Sequence, residues 1–306
     1  MSEISVGTPA LWISFTLFVL IMLALDLGVF HRKAHEISVK EAALWSAFWI
    51  ILSLCFNGLV YMWFGGATAL EFLTGYVIEK SLSIDNIFVF LVILSYFSVA
   101  PAYQHRVLFW GIIGALITRA IFILGGAWIL HQFHWVEYIF GAFLIFTGIR
   151  LMLQGEVEVH PEKNPVLRFA KKFLPVTNEY HGAKVWIKQG AKWVATPLFL
   201  VLLVIEATDV VFAIDSIPAI FAITKDPFIV YTSNIFAILG LRALYFLLAG
   251  LMRKLEYLTV GLSLVLVFVG TKMLIADYFH IPIGWSLGVV GGILAISFLA
   301  SFLRKR

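Results

Sequence analysis

Long apolar runs follow one another along this chain, and short polar connections separate most of them. A run of about 20 apolar residues is long enough to cross the hydrocarbon core of a bilayer as a helix. The pattern therefore predicts an all-α polytopic membrane protein, with residues 1–306 in a single transmembrane domain. About nine transmembrane helices are predicted, at 8–30, 42–64, 70–98, 105–130, 134–153, 196–222, 228–251, 256–276 and 282–303.

The distribution of charge predicts the orientation of these spans. The chain is 61% hydrophobic and only 13% charged, a balance that excludes a soluble domain of 306 residues. Most Lys and Arg residues lie on alternate connections, including the long polar connection 155–192. Because positively charged connections stay in the cytoplasm, we expect the N-terminus outside and the C-terminus inside.

Within the cytoplasmic loop 155–192, the sequence predicts a short helix over 164–172 and a hairpin over 185–194.

Two of the predicted spans carry similar polar motifs, at 79–86 and 209–216. In each motif an acid precedes an Asp by six residues, and Asn or Ser and then Ile follow the Asp. Downstream, Arg119-Ala120 matches Arg242-Ala243, so spans 3–5 (about 70–153) resemble spans 6–8 (about 196–276). Because three is an odd number, the two copies would cross the membrane in opposite directions. This is the inverted-repeat plan of secondary transporters, which form the substrate site between the repeats near the midplane.

Five acids fall in the middle of spans 3 and 6, where an ionised carboxylate costs roughly 2.5–3.5 kcal/mol in lipid. The only bases well inside spans are Lys80, Arg119 and Arg242, which are the candidates for charge pairing. Three bases cannot neutralise five ionised acids, so the surplus charge predicts a cation site. The candidate metal ligands, which include an amide and a hydroxyl on the same helix faces as the acids, are Glu79, Asp85, Asn86, Glu206, Asp209, Asp215 and Ser216.

All of these candidate ligands are oxygen donors. The histidines lie in connections or at the ends of spans, and the single cysteine, Cys55, excludes a thiolate cage. Oxygen donors suit hard cations such as Mn²⁺, Mg²⁺ and Ca²⁺, and the residues do not choose among these three ions. A proton relay without a metal is the alternative at this stage, because some of the carboxyls could be protonated.

The motifs resemble those of the TerC family nearly from end to end. The resemblance is carried by 75–86, by 206–222 and by 224–242, and the last of these is similar to the Alx-like branch of the family. It implies a manganese exporter of the bacterial inner membrane, with Mn²⁺ as transported substrate and the five acids as its ligands. No nucleophile–base constellation or phosphate-binding loop appears in the sequence, so we do not expect an enzyme, a tightly bound cofactor or a nucleic-acid partner. Protons are the expected counter-ions.

Two other functions stay open at the level of sequence. The first is a Ca²⁺/H⁺ exchanger on the same frame. The second is a membrane factor without transport activity, in tellurium resistance or protein assembly, for which the acids would be dispensable and the loop 155–192 would matter. Span 9 also carries a stripe of small residues, Gly284, Gly288 and Gly292, which predicts either close packing within the monomer or a homodimer interface.

Overall fold

The computed structural model describes residues 5–25, 38–133, 135–154, 165–177, 179–182, 184–189, 192–249, 257–279 and 281–303. These residues form eleven helices and one two-stranded hairpin. The helices are α1 (Pro9–Leu25), α2 (Val39–Phe64), α3 (Gly66–Tyr96), α4 (Pro101–Gln132), α5 (Val136–Gln154), α6 (Pro165–Phe173), α7 (Pro197–Phe221), α8 (Pro227–Leu239), α9 (Leu241–Ala249), α10 (Leu258–Ile275) and α11 (Ile283–Leu303). The strands are β1 (Trp186–Gln189) and β2 (Lys192–Ala195).

The prediction of an all-α polytopic membrane protein is confirmed. Five described helices are long and apolar enough to cross a bilayer, namely α2, α4, α5, α7 and α11. The helices α8 and α9 meet at a bend of 40°, and they bring the number to six if the pair is counted as one span. Two shorter apolar helices lie at Pro9–Leu25 and Thr259–Ile275, beside residues outside the described ranges. The count of nine spans therefore stays a prediction.

Helix α3 is long enough to cross a bilayer but is unusually charged. It has 31 residues, which correspond to about 46 Å at 1.5 Å per residue. Glu71, Glu79, Lys80 and Asp85 are spread along it. Charged residues within a membrane helix are rare and mark functional sites.

The central helices pack in pairs, and each pair joins a helix of the first half of the chain to a helix of the second half. Helix α3 packs on α8 and α4 packs on α7, while α5 and α10 share a long interface. The backbones of α5 and α10 approach closely because glycines line this interface: a Cβ added to Gly270 would lie 2.6 Å from the carbonyl oxygen of Gly141. Helices α1, α2 and α11 contact this core from outside. The core therefore consists of the two segments that carry the similar motifs.

The loop between α5 and α7 contains both of its predicted elements. The predicted helix corresponds to α6, whose Leu167 and Ala170 are buried. The predicted hairpin is the antiparallel pair of β1 and β2, with Trp186 opposite Ala195 and Gln189 opposite Lys192. Residues 155–164 of this loop lie outside the described ranges.

The glycine stripe of α11 does not face another described helix. A Cβ added to Gly284, Gly288 or Gly292 would meet no atom of the described residues within 4 Å. The stripe therefore plays no part in packing within the described monomer, and the first of the two sequence-based interpretations is wrong. The homodimer interface stays a prediction.

Candidate cation site

Arg119 of α4 lies at the centre of a buried polar cluster. Its side chain is 1% exposed, and one of its amino groups forms an ion pair with Glu79 of α3. Its other amino group lies 3.3 Å from Oδ1 of Asp209 on α7. Arg119 also donates hydrogen bonds to Oδ1 of Asn234 on α8, at 3.2 Å, and to Oγ of Ser216, at 3.4 Å. We call these five residues from four helices the Arg119 cluster.

Helix periodicity explains the contribution of α7 to the cluster. Asp209 and Ser216 are seven residues apart, so their side chains lie on one face of the helix. That face meets α4, and both residues contact Arg119. The prediction from the sequence that Arg119 pairs with buried acids agrees with the contact between Arg119 and Asp209. Asn234 was not among the predicted residues, although an Asn inside an apolar run is the signal that would have identified it.

The Arg119 cluster contains buried polar atoms without hydrogen-bond partners among the described residues. They include one carboxylate oxygen of Glu79 (Oε2) and one of Asp209 (Oδ2). Nε of Arg119 and Nδ2 of Asn234 are also unpartnered. Leaving such an atom unsatisfied costs about 1–3 kcal/mol. Two ionised carboxylates against one guanidinium would also leave a net charge of −1, so the cluster has both charge and donor oxygens for another cation or proton.

Glu206 lies beside the Arg119 cluster but makes a different contact. Its half-buried carboxylate packs directly on Gly114 of α4, where an added Cβ would overlap the carboxylate atoms. Asp209 follows one helical turn later on the same helix. Glu206 therefore occupies a notch that exists only because residue 114 has no side chain.

Asp215 points toward another helix. It accepts a hydrogen bond from Oγ1 of Thr147 on α5, at 3.4 Å. Asp215 is six residues beyond Asp209, which corresponds to a rotation of about 240° around the helix axis. The two acids of this motif therefore cannot share one face of α7.

The four predicted acids whose side chains are described do not all converge. Among the described residues, no group of three or more His, Cys, Asp or Glu side chains has an arrangement that could hold a metal ion. Glu79 and Asp209 share Arg119, whereas Glu206 packs on Gly114 beside the cluster and Asp215 contacts Thr147 of α5. The side chain of Asp85 lies outside the described residues, and Asn86 is buried on α3.

The two other predicted bases lie close to the cluster in different ways. Arg242, at the start of α9, is 5% exposed and lines a small cavity together with Asp209 and apolar side chains of α3, α4 and α7. Lys80 donates a hydrogen bond to the carbonyl oxygen of Ala237 on α8, at 3.1 Å. The described hydrogen bond of Lys80 is thus with the backbone at the end of α8, and not with one of the acids.

A second polar network lies where α7 connects to α8. The Oγ1 hydroxyl of Thr224 donates a 2.6 Å hydrogen bond to Glu71 of α3, which ties this connection to the start of α3. Asp226 caps α8 and accepts hydrogen bonds from Ser5 and from the backbone N–H of Val6. These contacts fasten the N-terminal segment and α3 to one end of the bundle. Of this network, only the helix-capping role of Asp226 follows from the sequence, because an Asp before a Pro is a cap signature.

The comparisons with known proteins agree with this architecture. The family model described as "Integral membrane protein TerC family" matches residues 64–306. An uncharacterized membrane protein of Myxococcus xanthus is 54% identical over 99% of this chain and 95% of its own length. The "Putative membrane-bound redox modulator Alx" of Escherichia coli (strain K12) is 50% identical over 96% of this chain and 95% of its own length. An uncharacterized membrane protein of Rickettsia bellii is 43% identical over 96% of this chain and 97% of its own length. No solved structure matches the chain.

Proposed function

The chain belongs to the TerC family of integral membrane proteins, and on that premise we propose that it is a secondary transporter that exports Mn²⁺ across the bacterial inner membrane in exchange for protons. The observation that carries the proposal is the sharing of one buried guanidinium by Glu79 and Asp209. These carboxylates are 0% and 4% exposed. A protein with only a structural role in the bilayer has no need for this costly arrangement.

The donor set of the Arg119 cluster supports a hard divalent cation as substrate. The side-chain oxygens of Glu79, Asp209, Ser216 and Asn234 surround the guanidinium, and oxygen is the donor that Mn²⁺ prefers. The unpartnered carboxylate oxygens of Glu79 and Asp209 are free to bind a cation. A metal ion that binds both carboxylates would replace the charge that Arg119 now supplies.

The mechanism follows from this competition between cations. In the described conformation Arg119 compensates one of the two acidic charges of Glu79 and Asp209, so it competes with a metal for the same carboxylates. Withdrawal of the guanidinium would free both carboxylates for Mn²⁺, and protons would take the place of the metal when it leaves. The two acids outside the cluster, Glu206 and Asp215, are half-buried on α7. They would bind the metal transiently as it moves to and from the Arg119 cluster.

The packing of the helices supports an inverted repeat. A pseudo-two-fold axis that exchanges α3 with α7 must also exchange α4 with the pair α8 and α9, and α5 with α10. It then requires that contacts of α3 with α8 be matched by contacts of α7 with α4, and it allows α5 to pack on α10 across the axis. All three contacts are present. The proposal therefore includes nine spans, with spans 3–5 and 6–8 as the repeats, an external N-terminus and a cytoplasmic C-terminus.

The experiment is metal flux into liposomes that contain the purified protein under an imposed pH gradient. We expect Mn²⁺ transport by the wild type and its loss in Asp209→Asn and in Glu79→Gln. Glu41→Gln is the matched control, because it removes a carboxylate from the first turn of α2, away from the cluster. Competition by Ca²⁺ and Mg²⁺ in the same assay identifies the preferred ion and separates the proposal from a Ca²⁺/H⁺ exchanger. Wild-type flux in both cluster variants would exclude the mechanism and favour a role without transport.

A further inference from the structure

The junction between α8 and α9 interrupts a helix inside the protein core. Helix α8 ends at Leu239 and α9 begins at Leu241, with a bend of 40° between them. The intervening Gly240 is buried. The last carbonyl groups of an interrupted helix lose their helical partners, and the helix end carries a partial negative charge. In a bilayer no water can satisfy these groups, so this end needs a donor or a cation.

Lys80 of α3 supplies both a donor and a positive charge. Its ammonium group donates to the carbonyl oxygen of Ala237 at 3.1 Å. In an uninterrupted helix that carbonyl would accept from the N–H group of Leu241. The absence of a side chain at residue 240 makes room for the ammonium: a Cβ on Gly240 would lie 2.7 Å from Nζ of Lys80 and 3.1 Å from Cβ of Trp49 on α2. The ammonium group therefore occupies a fitted position at the end of α8.

The other half of the chain provides an internal comparison. Glu79 corresponds to Asp209, so Lys80 corresponds to Val210. Gly240 lies two residues before Arg242, and the equivalent position before Arg119 is Ile117, in the middle of the continuous helix α4. A lysine is thus present opposite the interrupted helix, and a valine is present opposite the continuous one. The lysine belongs to the first repeat and the interruption to the second, and the two meet where α3 packs on α8.

Interrupted helices in secondary transporters commonly coordinate a monovalent coupling cation through their C-terminal carbonyl groups. We propose that the ammonium group of Lys80 is a built-in substitute for such a cation, so that the protein does not use Na⁺ or K⁺ as a coupling ion. The transport part of this inference rests on the proposed function. The binding part concerns only the end of α8 and is independent of the transported metal.

The binding part is tested by thermal unfolding of the purified protein in detergent, with NaCl replacing choline chloride at constant ionic strength. Lys80→Ala removes the ammonium and leaves space, and we expect Na⁺ to raise the Tm of this variant by several degrees through mass action. Lys80→Met fills the space without charge and Lys80→Arg keeps a charge there. Neither of these variants nor the wild type should respond to Na⁺. An unchanged Tm of Lys80→Ala in Na⁺ would overturn the inference.

The transport part is tested by Mn²⁺ flux in liposomes with choline or Na⁺ as the monovalent cation. We expect the wild type to be equally active in both, and Lys80→Ala to gain at least fivefold when Na⁺ replaces choline. A lysine that merely stabilised the fold would give no such rescue. The wild-type measurement does not depend on the folding of any variant, and a several-fold stimulation of the wild type by Na⁺ would overturn the inference. Absence of Mn²⁺ flux in every protein would refute the proposed function instead, while the unfolding experiment would still decide on the cation position.

Discussion

Replacement of Arg119 by Gln tests the idea that a guanidinium and a metal ion compete for the same acids. The substitution leaves Glu79 and Asp209 buried and close together without a positive partner. Removing one member of a buried ion pair costs about 3–5 kcal/mol, because the remaining charge is uncompensated. Here one guanidinium serves two acids, so we expect the upper part of this range for the loss in free energy of unfolding.

The substitution should also make the protein dependent on metal. With its competitor removed, Mn²⁺ should bind Glu79 and Asp209 more tightly and restore stability by mass action. The gain is about 2.7 kcal/mol when the free metal is 100 times its Kd. Wild-type protein, in which Arg119 already compensates part of the charge of these acids, should gain less at the same metal concentration.

The assay is denaturant unfolding of purified protein in detergent, with and without Mn²⁺. Arg106→Gln is the matched control, because Arg106 is an exposed residue on the same helix and its loss should cost less than about 1 kcal/mol. The double variant Glu79→Gln/Arg119→Gln should recover part of the lost stability, since only one acid is then left uncompensated. The reasoning is refuted if Arg119→Gln is as stable as the control, or if Mn²⁺ stabilises the wild type as much as it stabilises Arg119→Gln.

Three further predictions concern other positions. Gly114→Ala should displace the carboxylate of Glu206 and lower Mn²⁺ flux. The loss of stability should be small, because only the flexible end of a side chain must move. Mn²⁺ flux equal to that of the wild type would exclude Glu206 from the transport path. Gly270→Ala should destabilise the protein by about 1–3 kcal/mol, since the methyl group meets the backbone of α5, whereas Gly284→Ala should be neutral in the same unfolding assay. Tyr180→Phe should cost about 0.5–1.5 kcal/mol through loss of a hydrogen bond to the end of α3. Burial raises the pKa of the Tyr180 phenol, so this contribution should be constant below about pH 10. The difference in stability between Tyr180→Phe and wild type should therefore be the same at every pH from 7 to 9.

The positions of most helices could be predicted because run length and end signals are local properties of the sequence. The described bounds of α2, α4, α5, α7 and α11 fall close to the predicted spans. The interruption at Gly240 was missed, and 228–251 was predicted as one continuous span. A single glycine is tolerated inside a membrane helix, and the apolar run continues through it. The hydrogen bond from Lys80 to the end of α8 depends on how α3 packs on α8, which the sequence does not give.

The content of the site could be predicted better than its geometry. Periodicity was sufficient to place Asp209 and Ser216 on one face, and the charge count identified Arg119 as a partner for acids. The prediction that the acids meet was based on their similar depth in the membrane. Depth does not give the direction in which a side chain points, and Asp215 points toward α5. The choice of partner for each base depends on which helices pack together, and this is a property of the whole bundle. Asn234 enters the cluster only because α8 packs on α3 and α4.

The separation of the acids is itself informative about the proposed transport cycle. A site in which all acids already met around one point would hold a divalent cation tightly, and release would then be slow. In the described conformation only Glu79 and Asp209 are held together, and a guanidinium attached to a third helix holds them. Movement of α4 relative to α3 and α7 would therefore change the charge available to the metal as well as the access to it. Because both changes depend on Arg119, a Lys at this position should keep the charge but weaken the coupling, since an ammonium cannot contact both acids with the fixed geometry of a guanidinium.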